Sequence, residues 1–351
     1  MKVKPEEIEA GYERLDTETR EAIEYAVKNI RNFHSKQMPE EMWFTEVDKG
    51  LLVGEKTTPI VDVCLYVPRG KGSFPSVLCM LATPAVVAGV EKIVVVTPPN
   101  EEGNVDDAIL AAAKIIGVSE IYKVGGIQAV ASVAYGTETI PKCHKIIGPG
   151  NAYATAAKRV LSNYIDSGLP AGPSECIILA DENADPEKVA LDWMIEAEHG
   201  PDSAALLVTN CEELVYKAAE IVERQLEKIS DKRREFVTAN FNTYGGAIIT
   251  ESLEESIDFV NDYAPEHMEV MTKEPFVVLP KIKNAGEILL GDYTPVTLCN
   301  FVLGPNAILP TGQFAKTYSS VSVMDFLKRS SVGYALSLIH ISEPTRLGMI
   351  S

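Results

Sequence analysis

Residues 92–137, KIVVVTPPNEEGNVDDAILAAAKIIGVSEIYKVGGIQAVASVAYGT, decide the fold. IVVVTP is a Val-rich run of strand length, apolar enough to be buried on both faces. DAILAAAKIIGV follows as a helix, EIYKVG as a second strand and IQAVASVAYGT as a second helix. Strand and helix alternating in this way imply a parallel sheet covered by helices on both sides.

The alternation continues outward. Upstream, SVLCMLATPAVVAGV suits a helix, and residues 60–66 and 50–53 read as short strands behind a polar, irregular stretch containing Trp43. Residues 5–36 carry a helical pattern through Ile8, Leu15, Ile23, Val27, Ile30 and Phe33. Downstream come the strand and turn KIIGPGN, the helix AYATAAKRVLSNYI, the strand CIILAD, the helix PEKVALDWMIEAEHG, the strand AALLVTN and an amphipathic helix over 212–229. AIITES and MEVMTK bracket a further helix at 253–263. The expected class is α/β, with two Rossmann-like parallel-sheet units and flanking helices. The units meet near 240–250 or near 168–175. The first choice gives an N-terminal helix with lead-in strands (1–72), an α/β unit with glycine turns (73–240) and a second α/β unit (241–335). No repeat of 20–50 residues and no low-complexity segment is visible.

Composition limits the function. At 351 residues the chain is long enough for two domains. A net charge of −18, with basic residues spread thinly, argues against nucleic acid as a partner. The six cysteines include no CxxC pair, so redox and zinc-ribbon motifs have no support. The polar N-terminus does not read as a secretory signal, and no apolar run reaches the ~18–20 residues that span a bilayer. The expectation is a soluble, cytoplasmic protein without a membrane or nucleic-acid partner. From Leu336 the chain reads LSLIHISEPTR, similar to a translated sequencing adapter, and residues 336–351 are expected to be foreign to the fold.

Three places could carry chemistry. The turns at 124–130 and 146–158 each follow a strand and open a helix, where glycines let backbone N–H groups approach a phosphate; ligand-free tight turns would look the same. Glu196 and His199 lie three residues apart on one helical face, the spacing of a shared metal site or of an acidic helix capped by a histidine. Glu266-His267, after a proline, joins a base that titrates near neutrality to a carboxylate able to activate water; a solvated loop would carry the same composition.

Taken in order, LYVPRGKGSFPSVLCMLATPAVVAGV, VGGIQAVASVAYGTE, KIIGPGNAYATAAKR, LPAGPSE, AEHGPDS, APEHMEV, GPNAILPTG and SVMDFLKRSSV resemble histidinol dehydrogenases over residues 1–335. The resemblance implies an NAD-dependent enzyme, homodimeric and zinc-binding, that oxidises an alcohol through the aldehyde to the acid. It places Tyr66, Gln128 and Asn151 at NAD-contacting positions and Ser174 at a substrate-contacting position, with Glu196, His199 and His267 also facing substrate. Glu266 and His267 fall on the acid/base pair.

The departures fall on the metal. The family's QAEH is EAEH here, so Glu196 replaces a glutamine while His199 is retained. Aligned through ILPTG, the family's liganding Asp is Asn300 and its neighbouring His is Ala307; the GDY at 291–293 belongs to an earlier string. The fourth family ligand lies in a C-terminal tail beyond the end of this sequence, and family members carry an additional helical segment ahead of Met1. A site of Glu196, His199 and Asn300 has harder, oxygen-rich character and would bind zinc weakly, take another divalent ion, or hold none. The expected function is oxidation of L-histidinol or a related amino alcohol or polyol, with a diverged substrate preferred. The alternatives are a catalytically impaired fragment or a non-enzymatic ligand-binding α/β module, and the retained Glu266-His267 pair argues against the latter.

Overall fold

The computed structural model of the chain describes residues 1–69 and 72–336, the side chains of Asn300 and Phe301 excepted. Its strands are β1 (Met42–Asp48), β2 (Leu51–Pro59), β3 (Asp62–Tyr66), β4 (Lys92–Thr97), β5 (Glu120–Lys123), β6 (Lys145–Ile147), β7 (Glu175–Ala180), β8 (Ala204–Thr209), β9 (Gly246–Ile249), β10 (His267–Met271), β11 (Glu287–Leu290) and β12 (Leu327–Ala335). They form a parallel sheet β5-β4-β3-β6, a parallel sheet β11-β10-β7-β8-β9 and an antiparallel ribbon β1-β2-β12.

The α/β class with parallel sheets between helices is as the sequence implied. Val94, Val95 and Val96 are all fully buried, which only a strand packed on both faces achieves. On one face of the first sheet lie the helices Pro75–Val87 and Asp107–Ile116 together with the N-terminal helices; on the other lie Gly126–Tyr135 and Ala152–Val160. The second sheet is enclosed in the same way, by Pro186–Ala197, Glu212–Leu226 and Asp231–Phe241 on one face and Leu253–Tyr263 on the other.

Several sequence expectations change. The sheets divide between Ile147 and Glu175, which agrees with a junction near 168–175 and not with one at 240/241: β7 and β8 share a sheet with β9, β10 and β11, so hydrogen bonding runs straight across residue 240. β3, counted with the lead-in strands, pairs with both β4 and β6 inside the first sheet. The helical pattern over 5–36 is two helices, Pro5–Arg14 and Thr17–Ser35, because Asp16 caps the second by accepting from Thr19 N at 2.8 Å. The helix Asp231–Phe241 was not foreseen; it presents little apolar periodicity, burying only Val237 and Asn240. β12 returns to the N-terminal segment and pairs with β2 along its length.

All six cysteines are free, and every one but Cys211 is buried, as small apolar side chains are. Of residues 336–351 only Leu336 is described; its N–H donates to Gly50 O at 2.8 Å, and the remainder lies outside the described residues. No described helix is long and apolar enough to cross a membrane.

Candidate active site

In the first sheet β4 and β5 lie on one side of β3 and β6 on the other, so the chain reverses direction between β3 and β6. A crevice forms at such a reversal, beyond the carboxyl ends of the strands. Here it holds Tyr66, the last residue of β3, and the GPGN loop after β6. Gly148 has φ +130, and a Cβ there would stand 2.2 Å from Tyr66 O, so only glycine permits this approach. Gly126 opens the next helix at φ +68 and donates its N–H to the Tyr66 hydroxyl at 2.9 Å.

The second sheet faces this crevice with the opposite ends of its strands. A cleft of about 490 Å³ is lined by Arg69, Met80, Asn151, Ser174, His199, Asp202, Glu266, His267 and Ala307, among others. His267 is the first residue of β10, in register with Cys176 at the start of β7 and Glu287 at the start of β11. Its Nδ1 hydrogen-bonds the Glu287 carboxylate, whose other oxygen accepts from Cys299 Sγ at 2.5 Å. Its Nε2 stands 3.8 Å from Glu266 Oε1. Glu266 Oε2 accepts from Glu175 N at 3.0 Å, which fixes the carboxylate across the gap between β7 and β10.

The electrostatics follow from burial. Glu266 is 7% exposed, and desolvation pushes its carboxyl well above the usual range, against the pull of the His267 ring. Burial alone would lower His267, but the carboxylates of Glu266 and Glu287 outweigh it and hold the ring above its ordinary value. Glu266 acts on the ring through its charge, whereas Glu287 also hydrogen-bonds Nδ1 and so fixes the ring's orientation. With Nδ1 given to Glu287, Nε2 is the nitrogen left to exchange a proton.

The structure thus brings together Glu266, His267, Ser174, His199 and Asn151 around one cleft. The Asn151 side chain also caps the helix Ala152–Val160, accepting from Ala154 N at 3.0 Å. Tyr66 is buried and shapes the cleft through its bond to Gly126, and Gln128 is exposed on the first turn of that helix; neither lines the cleft itself. Glu287 escaped the sequence analysis because it lies twenty residues beyond His267, joined to it only by sheet register. A charged residue opening the apolar strand EILL was the one available signal.

Among the described residues the metal donors are incomplete. Glu196 is 1% exposed and neither of its oxygens has a hydrogen-bond partner, an arrangement that favours a cation. His199 Nδ1 stands 3.4 Å from Glu196 Oε1 but also 3.1 Å from Ile195 O. Among the described residues no group of three or more His, Cys, Asp or Glu side chains could hold a metal ion. The side chain of Asn300 lies outside the described residues, and Ala307 brings a methyl group to the cleft wall. Asp292 of the GDY string pairs with Lys188 at 2.6 Å, away from the cleft. Two adjacent donors do not make a four-ligand zinc centre. On the other wall two glycine turns and two helix N-termini converge on Tyr66, an arrangement that favours a phosphate-bearing ligand.

A family model described as histidinol dehydrogenase matches residues 1–339. The chain belongs to the histidinol dehydrogenase family. It is 53% identical over 334 residues to the histidinol dehydrogenase of Synechocystis sp., covering 95% of this chain and 77% of that one. It is 52% identical over 338 residues to histidinol dehydrogenase homolog 2 of Mesorhizobium japonicum, covering 96% and 77%. The crystal structure of histidinol dehydrogenase from Elizabethkingia anophelis superimposes with a TM-score of 0.92 at 37% identity, over 95% of this chain and 77% of that one. The family comprises oxidoreductases acting on CH–OH groups, in general NAD-dependent and zinc-binding.

Proposed function

We propose that this chain oxidises a small alcohol through the aldehyde to the carboxylic acid, with two equivalents of NAD accepting hydride. The observation that carries the reading is the His267 ring, held by Glu287 through Nδ1 with Nε2 beside Glu266 at the cleft. His267 Nε2 takes the hydroxyl proton as hydride leaves the carbinol carbon. After that proton is released, Glu266 and His267 take one from water as it adds to the aldehyde, and the second hydride leaves the hydrated carbon to give the acid. The turns at Gly126 and Gly148–Asn151 would hold the dinucleotide, whose nicotinamide supplies the hydride acceptor. Ser174 orients the substrate from the β7 side.

The preferred substrate is an alcohol other than L-histidinol. Glu196, Asn300 and Ala307 replace the groups that grip an imidazole-bearing amino alcohol in the family, and relatives at about 50% identity include proteins named only as homologs. NADH formation across a panel of amino alcohols, polyols and hydroxy acids tests this, with and without added Zn²⁺. Histidinol should trail at least one non-imidazole alcohol, and the combined changes Glu196→Gln, Asn300→Asp and Ala307→His should raise its turnover. Efficient histidinol oxidation by the unmodified chain, with kcat/KM near ~10⁴ M⁻¹s⁻¹ or above, would defeat the divergent reading. A homodimer is also proposed: β1 is exposed along its whole length and carries Met42, Trp43, Phe44 and Val47, an apolar edge that a second copy would cover. Sedimentation at micromolar concentration decides it.

A further inference from the structure

Lys158 is a cation buried without a counter-charge. It lies near the end of the helix Ala152–Val160, is 7% exposed, and no carboxylate among the described residues pairs with it. One N–H goes to Gly148 O, and Nζ stands 5.4 Å from the centre of the Tyr66 ring. Desolvation lowers the ammonium to about 8. Burying an ammonium on one carbonyl and a ring face is costly, and the cost is recovered when an anion arrives.

The space for an anion is present. Lys158, Arg159, Thr155 and Ser167 line a pocket of about 270 Å³. That pocket shares Thr155, Arg159 and Pro170 with a neighbouring space of about 530 Å³, which in turn shares Gly150, Asn151 and Pro173 with the cleft of His267. The shared walls link the three spaces in series, with Glu266 and His267 at one end and the basic Lys158 and Arg159 at the other. An ammonium, a guanidinium and two hydroxyls are the donors that phosphate, sulfonate and carboxylate groups take.

We propose that the basic end of this series is an oxyanion site, whose ligand extends toward the hydroxyl-bearing carbon at His267. The placement of that carbon rests on the dehydrogenase reading above; the anion site does not. The oxyanion comes either from the far end of an anionic alcohol or from the phosphates of the dinucleotide.

Inorganic pyrophosphate and sulfate, titrated calorimetrically into the full chain, test the site without turnover. Binding should weaken at least about tenfold in Lys158→Met and recover in Lys158→Arg. No binding of either anion, or equal binding in Lys158→Met, overturns the proposal. Kinetics with matched alcohols, with and without a terminal carboxylate, then assign the source. A rise in KM confined to the anionic alcohol marks the substrate, whereas a rise in KM for NAD marks the dinucleotide, and either supports the site. If no alcohol reduces NAD while pyrophosphate binding still depends on Lys158, the dehydrogenase reading fails and the anion site stands. Should Lys158→Met fail to fold, protection of Lys158 from acetylation by pyrophosphate in the unmutated chain answers the same question, and absence of protection overturns it.

Discussion

The two parallel sheets share a topology but use opposite ends of it. In the first, β3, β4 and β5 run one way and β6 returns to the other side of β3; in the second, β7, β8 and β9 run one way and β10 returns beside β7. The first sheet opens at its carboxyl end, where Tyr66 meets Gly148, as an open parallel sheet does. Its amino end is closed by Asp62, which accepts from His144 N at 2.6 Å. The second sheet is closed at its carboxyl end by Asp181, which accepts from Lys273 N and Asn183 N at 2.9 Å each. It opens at its amino end, where Glu266 and His267 stand beside Glu175. One aspartate per sheet thus stitches the unused end of the reversal. The open ends differ in kind: glycine turns offer backbone donors on one side, and buried titratable side chains gather on the other.

That division makes distinct predictions for each rim. The largest effect belongs to His267→Asn, which should lower turnover by ~10²–10⁴ while leaving the NAD dissociation constant unchanged. Retained turnover would move the chemistry away from the second sheet.

Glu287→Gln comes next, with turnover reduced about tenfold or more as His267 loses its orienting partner. Because Glu287 raises His267, the neutral base of the native chain appears only as pH climbs above the ordinary histidine range. The rise of kcat/KM with pH should therefore shift toward acid in this variant. An unshifted profile would show that Glu287 does not set the working base.

On the first rim, Gly148→Ala forces a methyl group onto Tyr66 O and should cost stability by about 1–3 kcal/mol or more. Nucleotide affinity should fall with it, while the pH profile of the remaining activity stays in place. A moved profile would mean that the two rims are coupled.

The smallest catalytic effect is expected of Asp181→Ala, at a stitched end. Loss of its backbone contacts should lower the denaturation midpoint by the equivalent of about 1–3 kcal/mol. Turnover of the folded fraction should stay unchanged; a loss there would show that the closed end serves the site.

Strand and helix order was legible because buried β-branched runs and amphipathic helices are local patterns, and Val94–Val96 or Asp107–Ile116 need no partner to be recognised. Glu266 and His267 were legible as a motif, and the structure places both at one cleft. The sheet boundary was narrowed only to two places, since the connection at 161–174 and the stretch near 240 look alike until hydrogen bonding decides which strands pair.

By itself, then, the sequence determined the α/β alternation, the glycines at the first rim and the identity of Glu266 and His267. Tertiary structure alone decided that His267 is held by Glu287, that Glu196 is buried without a hydrogen bond, and that Lys158 faces no counter-charge among the described residues. The physical reason is that each of these depends on residues brought together by strand register or packing across tens of positions. The free energy of a buried charge is set by those neighbours and by lost water, and neither is written in the residue's local sequence.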